Sequence, residues 1–236
     1  MTKGPSPAKP HNHLLARLPK DEFNRLSPLL QPVLLTAKQV LYQLRSPIDY
    51  VYFPTNGVVS AMTVMVDGSA IEVTTIGSEG VTGLTAFIGG ETSPYKVIVQ
   101  VSGDGLRMKA DVFREEAKRD GPLKKILVLY NTFFAMQVSY SVACNGLHKI
   151  EQRCCRWLLM TQDRVGSNVL RLTHAYLAIM LGVRRASVTE VLQLLQKRGM
   201  IRIRRGSIEL LDRSGLEETS CECYRVVNEE FRRLLD

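Results

Sequence analysis

The chain lacks the long apolar run that a transmembrane helix requires. Such a helix needs about 18 or more consecutive apolar residues, whereas the most apolar stretch, ILVLYNTFFAM, is interrupted by Asn131 and Thr132. The N-terminal segment MTKGPSPAKPHNH has no hydrophobic run behind its lysines, so we interpret residues 1–13 as a Pro-rich flexible tail and not as a signal peptide. These absences predict a cytoplasmic protein that does not bind membranes.

Cysteines are few, and their number is odd. Five cysteines without an export signal favour reduced thiols over a disulfide framework. Cys154 and Cys155 are neighbours on a predicted helix and point about 100° apart, so they are poorly placed to chelate one metal ion. Cys221 and Cys223 could form half of a soft-metal site if a partner subunit or Cys155 supplied further ligands. We favour structural thiols and predict no metal site, with a redox or metal-sensing role as the open alternative.

The arrangements that usually carry catalysis are also missing. The sequence has no paired carboxylates, no Cys–His or Ser–His constellation with the spacing of a known catalytic site, and no P-loop. We therefore do not predict an enzyme.

Positive charge is present in excess and is unevenly distributed. The 236 residues carry a net charge of +8, and 45% of them are hydrophobic, which suffices for one large domain or two smaller ones. Residues 171–205 contain eight basic side chains against Glu190 alone, a net charge of +7, while residues 206–236 have a net charge of −4. Such a segment is typical of a phosphate-binding surface, and a solvated charged face is the alternative.

Short β-type runs separated by turn residues fill the region from Val33 to about Lys109. The runs VYFP, VVSAMTVMV, AIEVTTI and KVIVQV are each followed by turn signals such as TNG and DGS, and a short helix, KDEFNRLSPLL, precedes them. This pattern predicts antiparallel strands that close into a sandwich or jelly roll.

A long helical segment follows Gly121 and Pro122, with Gly146 as its internal breaker. Its apolar residues recur at three- and four-residue steps: Leu123, Ile126, Leu127, Tyr130, Phe133 and Phe134. Further apolar residues broaden this surface, so the helix must be covered on more than one side. The β domain can cover one side and a second copy of the helix another, which predicts a homodimer. A helix internal to one globular unit is the alternative.

The third part of the chain has the order of a winged helix-turn-helix. Thr173 is a candidate N-cap for a short helix that ends at Gly182, and RRASVTEVLQLLQKRG then forms a second helix with a core stripe of Val188, Val191, Leu192 and Leu195. The segment MIRIRRGSIELLD reads as a hairpin with Arg204, Arg205, Gly206 and Ser207 at its tip. Helix, turn, helix and basic hairpin together predict DNA binding.

From about Leu14 to Leu211 the chain resembles the Crp/Fnr superfamily of bacterial transcription regulators. The resemblance is strongest in IGSEGVTGLTAFIGG, HKIEQRCCRWLLM and LTHAYLAIMLGVRRASVTEVLQLLQKRGMI. It implies an α+β fold with an N-terminal β-roll (a jelly roll like those that bind cyclic nucleotides) over residues 14–121 and a long dimerisation helix over 122–146. Residues 147–236 would form the winged helix-turn-helix with a C-terminal extension.

The resemblance also implies a function. We expect a homodimeric, sequence-specific regulator that binds double-stranded DNA and RNA polymerase and relays a signal through the long helix. The signal would come from an unidentified small-molecule effector in the β-roll. In the alternative, a small-molecule-binding or enzymatic β-roll protein, the basic C-terminal domain does not read DNA.

The cofactors of the family are not expected here. In cyclic-nucleotide-binding members a Gly-Glu-Leu turn holds the ribose and an Arg-Ser pair holds the cyclic phosphate; here Gly83 matches the glycine, but Leu84 replaces the glutamate and cannot accept a hydrogen bond. The iron-sulfur members use N-terminal cysteines, which this chain lacks, and His148 lies too late in the sequence for a haem ligand. The candidate effector pocket consists of Gly83, Leu84, Thr85, Tyr95 and Lys96.

The resemblance places DNA reading at the start of the second helix. The best-known family member uses an Arg-Glu pair and an Arg one turn later, where this chain has Arg185, Ala186 and Glu190. Arg185 can bind guanine O6 and N7, worth about 1–3 kcal/mol of discrimination, whereas Ala186 can touch a thymine methyl and Glu190 can accept from a cytosine amino group. The expected phosphate contacts are Thr173, His174, Arg184, Ser187, Thr189, Arg204 and Arg205.

Overall fold

The computed structural model describes residues 11–235. Residues 1–10 of the predicted tail lie outside the described residues. Asn12 and His13, which the sequence analysis assigned to that tail, belong to the fold instead, because Asn12 is fully buried and donates hydrogen bonds to Pro54 O at 2.9 Å and Gly80 O at 2.8 Å. Asn12 also caps the first helix by accepting a hydrogen bond from Leu15 N.

Two antiparallel sheets form the predicted β-roll. One has the strand order β1–β7–β3 and the other β2–β6–β4–β5. The elements of this region are α1 (His13–Ala16), α2 (Lys20–Leu26), β1 (Gln31–Leu35), β2 (Val40–Tyr42), β3 (Tyr50–Pro54), β4 (Val58–Val64), β5 (Ala70–Ile76), α3 (Leu84–Phe87), β6 (Lys96–Val101), β7 (Gly103–Lys109) and α4 (Ala110–Lys118). Apolar side chains of both sheets form the core between them, and Phe53 and Phe113 meet there edge to face.

The long helix α5 (Pro122–Leu147) leads from the β-roll to α6 (Ile150–Val165). Gly146 does not break it, contrary to the sequence prediction. The break falls at His148, whose φ of −105° and ψ of 145° are extended, and Lys149, the N-cap of α6, then donates its backbone N–H to Gln152 Oε1 at 3.1 Å. A cap whose backbone is extended ends a helix, whereas a single exposed glycine only weakens one.

Most of the residues predicted to mark the dimer helix face the core of their own subunit. Leu123, Leu127, Tyr130 and Phe133 are buried against the β-roll, while Ile126 and Phe134 are half-buried. The contact with the β-roll therefore uses the apolar stripe that the sequence analysis emphasised. The outer face of α5 is a different row of side chains.

Helix α5 is also long and apolar enough, by length and composition, to span a membrane. Asn131 and Thr132 interrupt the apolar run but leave a mean hydropathy of 1.3 in its best window, 28% of which is buried. Core helices of soluble proteins pass the same test, so one such helix is weak evidence for a membrane span.

The C-terminal part is a separate α/β unit with its own core. It contains β8 (Val169–Leu170), α7 (His174–Leu181), α8 (Arg185–Lys197), β9 (Ile201–Arg204), β10 (Ser207–Leu210), α9 (Arg213–Thr219) and α10 (Cys223–Leu235). The strand order β8–β10–β9 forms the small sheet of the predicted winged helix-turn-helix. Helix α6 and the apolar faces of α7 and α8 complete the core.

The contacts that join this unit to the β-roll include helix α10 and an ion pair. Helix α10 returns to the first core, where Phe231 packs edge to face on Phe133 with ring centroids 5.2 Å apart. Arg164 of α6 forms an ion pair with Glu79 after β5, with Nη2 and Oε1 2.7 Å apart and both side chains about one-tenth exposed. The long helix, the β-roll and the C-terminal unit are therefore in direct contact.

Candidate nucleic-acid interface and small-molecule cavity

Thr173 and Gly182 shape the helix pair α7 and α8. The Thr173 hydroxyl caps α7 by accepting a hydrogen bond from Tyr176 N at 3.2 Å. Gly182 ends α7 with a φ of 63°, a left-handed conformation that glycine adopts without steric cost. Both predicted roles are confirmed, and the turn places the N-terminus of α8 at the surface.

Helix α8 has one buried face and one exposed face. The predicted core stripe of Val188, Val191, Leu192 and Leu195 is buried. Arg184, Arg185, Ala186 and Glu190 are exposed, and Ser187 and Thr189 are half-buried, so the first turn of α8 offers its side chains to solvent. This geometry suits insertion into a major groove, which admits an α-helix.

His174 and Thr189 bind each other across the two helices. His174 Nδ1 lies 3.0 Å from Thr189 Oγ1, which in turn donates to Arg185 O at 3.1 Å. Burial, with Arg185 nearby, lowers the pKa of His174 below its usual value. Because Thr189 Oγ1 donates its own hydrogen to Arg185 O, it can accept a hydrogen bond from His174 Nδ1. Both side chains therefore lie beside Arg185 at the start of α8, and their role as phosphate contacts stays a prediction.

The wing carries Arg204, which lies next to a carboxylate, and Arg205, which is exposed at the tip. Glu209 lies 3.1 Å from Arg202 Nη1 and 3.5 Å from Arg204 Nε, so the charge of Arg204 is partly compensated. Arg205 is exposed in the two-residue turn with Gly206. Among the described residues, Glu209 therefore pairs with Arg202 and Arg204, and no carboxylate pairs with Arg205 at the tip of the wing.

A surface depression collects the predicted contacts from three elements. It lies between the N-terminus of α7, the N-terminus of α8 and the wing, and its lining includes Thr173, His174, Arg185 and Arg204. Arg184 and Ser187 lie on the other side of α8, where they line a depression together with Ala70 of β5. Of the ten predicted residues, four therefore line one depression and two line the other.

A cavity of about 350 Å³ lies between the β-roll and α5. Gly83, Leu84, Thr85 and Tyr95 line it from the β-roll side, as do Tyr42 and Thr82. Helix α5 closes the other side with Asn131, Phe134, Ala135 and Val138. The sequence analysis did not place these α5 residues at the pocket; their side chains face it because of helix packing that no local motif records.

Lys96 is not among the residues that line this cavity. Side chains alternate along a strand, and the next residue of β6, Val97, faces the cavity, so Lys96 points to the other side of the sheet. The described lining contains no charged side chain. The lining therefore offers no cationic side chain to a cyclic phosphate.

Two domain families match the chain in the order of its two structural units. The cyclic nucleotide-binding domain matches residues 32–120, and the Crp-like helix-turn-helix domain matches residues 152–219. The chain belongs to the Crp/Fnr family of transcription regulators. As a member of this family it is a DNA-binding transcription regulator, and the resemblance stated from its sequence is confirmed.

Solved structures of Crp/Fnr regulators share this fold. FixK2 from Bradyrhizobium japonicum is 17% identical, with a TM-score of 0.69 over 81% of this chain and 98% of its own. A CRP/FNR-family regulator from Thermus thermophilus is 24% identical, with a TM-score of 0.64 over 80% of this chain and 98% of its own. The c-di-GMP-responsive regulator CLP of Xanthomonas campestris is 16% identical, with a TM-score of 0.64 over 80% of this chain and 98% of its own. A search of curated protein sequences finds no match.

This Crp/Fnr regulator also contains a side-chain cluster that the sequence analysis missed. Cys144, His148, Cys221 and Cys223 bring their ligand atoms within 4.8 Å of one another. Cys155, the earlier candidate for completing the pair Cys221 and Cys223, is not one of them. The spacings Cys-x₃-His and Cys-x-Cys were visible in the sequence, but nothing local indicated that the two pairs, 77 residues apart, meet.

Proposed function

We propose that the chain is a homodimeric, sequence-specific regulator whose recognition helix is α8. The observation that carries this proposal is the exposed N-terminus of α8, where Arg185 stands beside the wing within a segment of net charge +7. Exposed arginine at this position can bind guanine, and the surrounding positive charge attracts the phosphate backbone. Two such helices in a dimer would enter successive major grooves about 34 Å apart.

The outer face of α5 supports dimerisation. Its exposed or half-exposed residues recur at alternating steps of three and four, a heptad pattern typical of paired helices: Val128, Thr132, Ala135, Ser139 and Val142. Val128 and Val142 are 49% and 66% exposed, and the small residues between them allow a second helix to approach closely. A second copy of α5 would cover this row.

The cavity supports binding of an uncharged, largely apolar effector. Its volume lies at the lower end of the usual range for ligand sites, and its polar groups are hydroxyls and the amide of Asn131. Because Asn131 and Ala135 of α5 line it, a ligand there would touch the helix that joins the two subunits. Contact with RNA polymerase and a cytoplasmic location complete the proposal by analogy with the family.

Mapping of bound DNA across the genome, followed by fluorescence anisotropy on the recovered site, tests the proposal. We expect Arg185→Ala to weaken binding to the best site about 5- to 150-fold, the equivalent of about 1–3 kcal/mol. Affinity should fall steeply with salt concentration because several phosphates are neutralised. Arg225→Ala removes an exposed arginine of α10 that pairs with Glu229, and it should leave affinity unchanged.

The same measurements can overturn the proposal. If the wild-type protein recovers no DNA fragment above background, sequence-specific reading by α8 is wrong. If Arg185→Ala and Arg225→Ala behave alike, Arg185 is not the reading residue.

A further inference from the structure

The end of α5 and the start of α10 bring three thiols and one imidazole together. Cys144 Sγ lies 3.5 Å from Cys221 Sγ, and Cys223 Sγ lies 3.7 Å from His148 Nδ1. The three thiols are buried, whereas His148 is partly exposed at the edge of the cluster. The cluster therefore combines a closed interior with an entry path on the histidine side.

Local structure explains why each pair converges. Cys144 and His148 are four residues apart at the C-terminus of α5, so they share one face of the helix. Cys221 lies just before α10, Cys223 is its first residue, and both side chains are buried in the same small cluster with Cys144. Helix α10 packs on α5, which brings the two pairs to one point.

We propose that Cys144, His148, Cys221 and Cys223 form a structural zinc site. A tetrahedral zinc ion with Zn–S bonds of about 2.3 Å and a Zn–N bond of about 2.0 Å holds its ligand atoms about 3.5–3.8 Å apart. The Cys144–Cys221 and Cys223–His148 separations of 3.5 and 3.7 Å fall in this range. Three thiolates and one imidazole are also a ligand set that structural zinc sites use.

The second nitrogen of His148 strengthens the assignment. His148 Nε2 lies 3.2 Å from a carboxylate oxygen of Glu222. Metal-binding histidines usually donate their other N–H to a carboxylate or carbonyl, which fixes the ring and leaves the ligating nitrogen unprotonated. Here the carboxylate binds Nε2, and the nitrogen that remains, Nδ1, is the one that faces the thiols.

Other uses of these cysteines fit less well. A disulfide joins two sulfur atoms at about 2.05 Å and gives no role to a third thiol or to an oriented imidazole. A four-iron cluster distributes its cysteines over different iron atoms and needs more space than separations below 4.8 Å allow. A single ion uses all four side chains.

The position of the site gives the ion a mechanical role. Cys144 and His148 end α5 where the chain turns into α6, and Cys221 and Cys223 begin the helix that returns to the β-roll. Zinc would tie the exit of the long helix to α10 at the junction of the two units. This inference does not depend on DNA binding, because metal binding is measured without DNA.

The test is metal analysis of the full-length protein purified under reducing conditions without chelator. We expect about one zinc per chain by mass spectrometry, and after chelation and replacement with Co²⁺ we expect thiolate charge-transfer bands and the visible spectrum of tetrahedral cobalt. Cys221→Ser and His148→Gln should each weaken zinc affinity by at least about 100-fold in a chelator competition. His148→Cys should restore it, because four thiolates also bind zinc.

Cys155→Ser is the matched control, since it removes one buried thiol that lies outside the cluster. It should keep the zinc content and the cobalt spectrum of the wild type. Several results would overturn the proposal: reduced wild-type protein that binds neither zinc nor cobalt, copper or iron in place of zinc, or zinc retained by both Cys221→Ser and His148→Gln. Loss of zinc in correctly folded Cys155→Ser, with folding checked by circular dichroism, would overturn it too.

Discussion

Glu72 of β5 and Trp157 of α6 join the β-roll to the DNA-binding unit through a single hydrogen bond. Trp157 Nε1 donates to Glu72 Oε1 at 3.0 Å, and Ser60 donates to the other carboxylate oxygen at 2.6 Å. Burial raises the pKa of Glu72 from 4.5 to about 7, and the two hydrogen bonds only partly oppose this shift. The junction thus contains a carboxyl group that titrates near neutral pH.

We expect the stability of the protein to fall as the pH rises from about 4.5 to about 7. In that window the folded state keeps a proton on Glu72 that the unfolded chain has lost, so each step up in pH favours unfolding. Glu72→Gln mimics the protonated side chain and should raise the free energy of unfolding above pH 7 by about 2–3 kcal/mol. Urea unfolding at pH 5 and pH 8 measures this, with Glu218→Gln on the surface of α9 as the control. A variant no more stable than wild type at pH 8 would contradict the prediction.

Roles set by neighbouring residues could be predicted from sequence, and roles set by distant partners could not. The Thr173 cap, the Gly182 turn and the buried stripe of α8 each depend on residues within one or two turns. Glu72 meets a tryptophan 85 residues away, and Cys144 meets a thiol 77 residues away. The pairing of His174 with Thr189 was not predicted either, because it depends on how two helices cross.

At the scale of elements, the turn between α7 and α8 is fitted against strand β5. Gly182 and Gly166 both end helices with left-handed φ values, 63° and 65°. A Cβ on Gly182 would meet Ile71 of β5, with Cγ1 at 3.0 Å, whereas a Cβ on Gly166 would meet nothing within 4 Å. A comparison of alanine substitutions at the two glycines therefore separates the cost of a left-handed backbone from the cost of crowding between the units.

We expect Gly182→Ala to destabilise the protein more than Gly166→Ala does. Left-handed alanine costs about 1–2 kcal/mol at either site, and crowding against Ile71 should add about 1 kcal/mol at Gly182 only. Urea denaturation of the two variants measures the difference. In a protein that also carries Ile71→Ala, Gly182→Ala should destabilise no more than Gly166→Ala does. If the two substitutions destabilise the protein equally when Ile71 is present, the contact with Ile71 contributes nothing.

Element boundaries were predicted where the chain gives a local signal. The strands of the wing and the start of α5 follow turn residues and proline, which act within a few positions. The sequence analysis placed the break of the long helix at Gly146, but α5 continues to Leu147. The extended backbone at His148 and Lys149 ends the helix, whereas one glycine only weakens it. The return of α10 to the first core has no local signal, since only the folded chain brings Phe231 to Phe133.

At the scale of the whole molecule, the order of the units could be predicted and their contacts could not. The β pattern, the long helix and the winged helix-turn-helix follow from periodicity and turn chemistry along the chain. The faces of α5 depended on which side the β-roll covers, so the residues first assigned to the dimer helix are largely buried in one subunit. The outer row that includes Val128 and Val142 emerges only after that packing is known.

We expect Val128→Glu to convert the proposed dimer to a monomer. Val128 lies in the outer row of α5, where a second helix would bury two facing carboxylates at a high cost in free energy. Sedimentation velocity at micromolar concentration measures the change in mass. Val66→Glu, at an exposed valine in the turn after β4, should leave the dimer intact. A dimer that survives Val128→Glu would contradict the proposed interface.

Trp157 is the only tryptophan of the chain, and it is 6% exposed. Its indole is held between the β-roll and the DNA-binding unit by the hydrogen bond to Glu72. Excited at wavelengths that only indole absorbs, the protein thus emits from one point at this junction. Separation of the two units would expose that indole to water and shift its emission to longer wavelength. The fluorescence of Trp157 therefore reports on contact between the units without an attached dye.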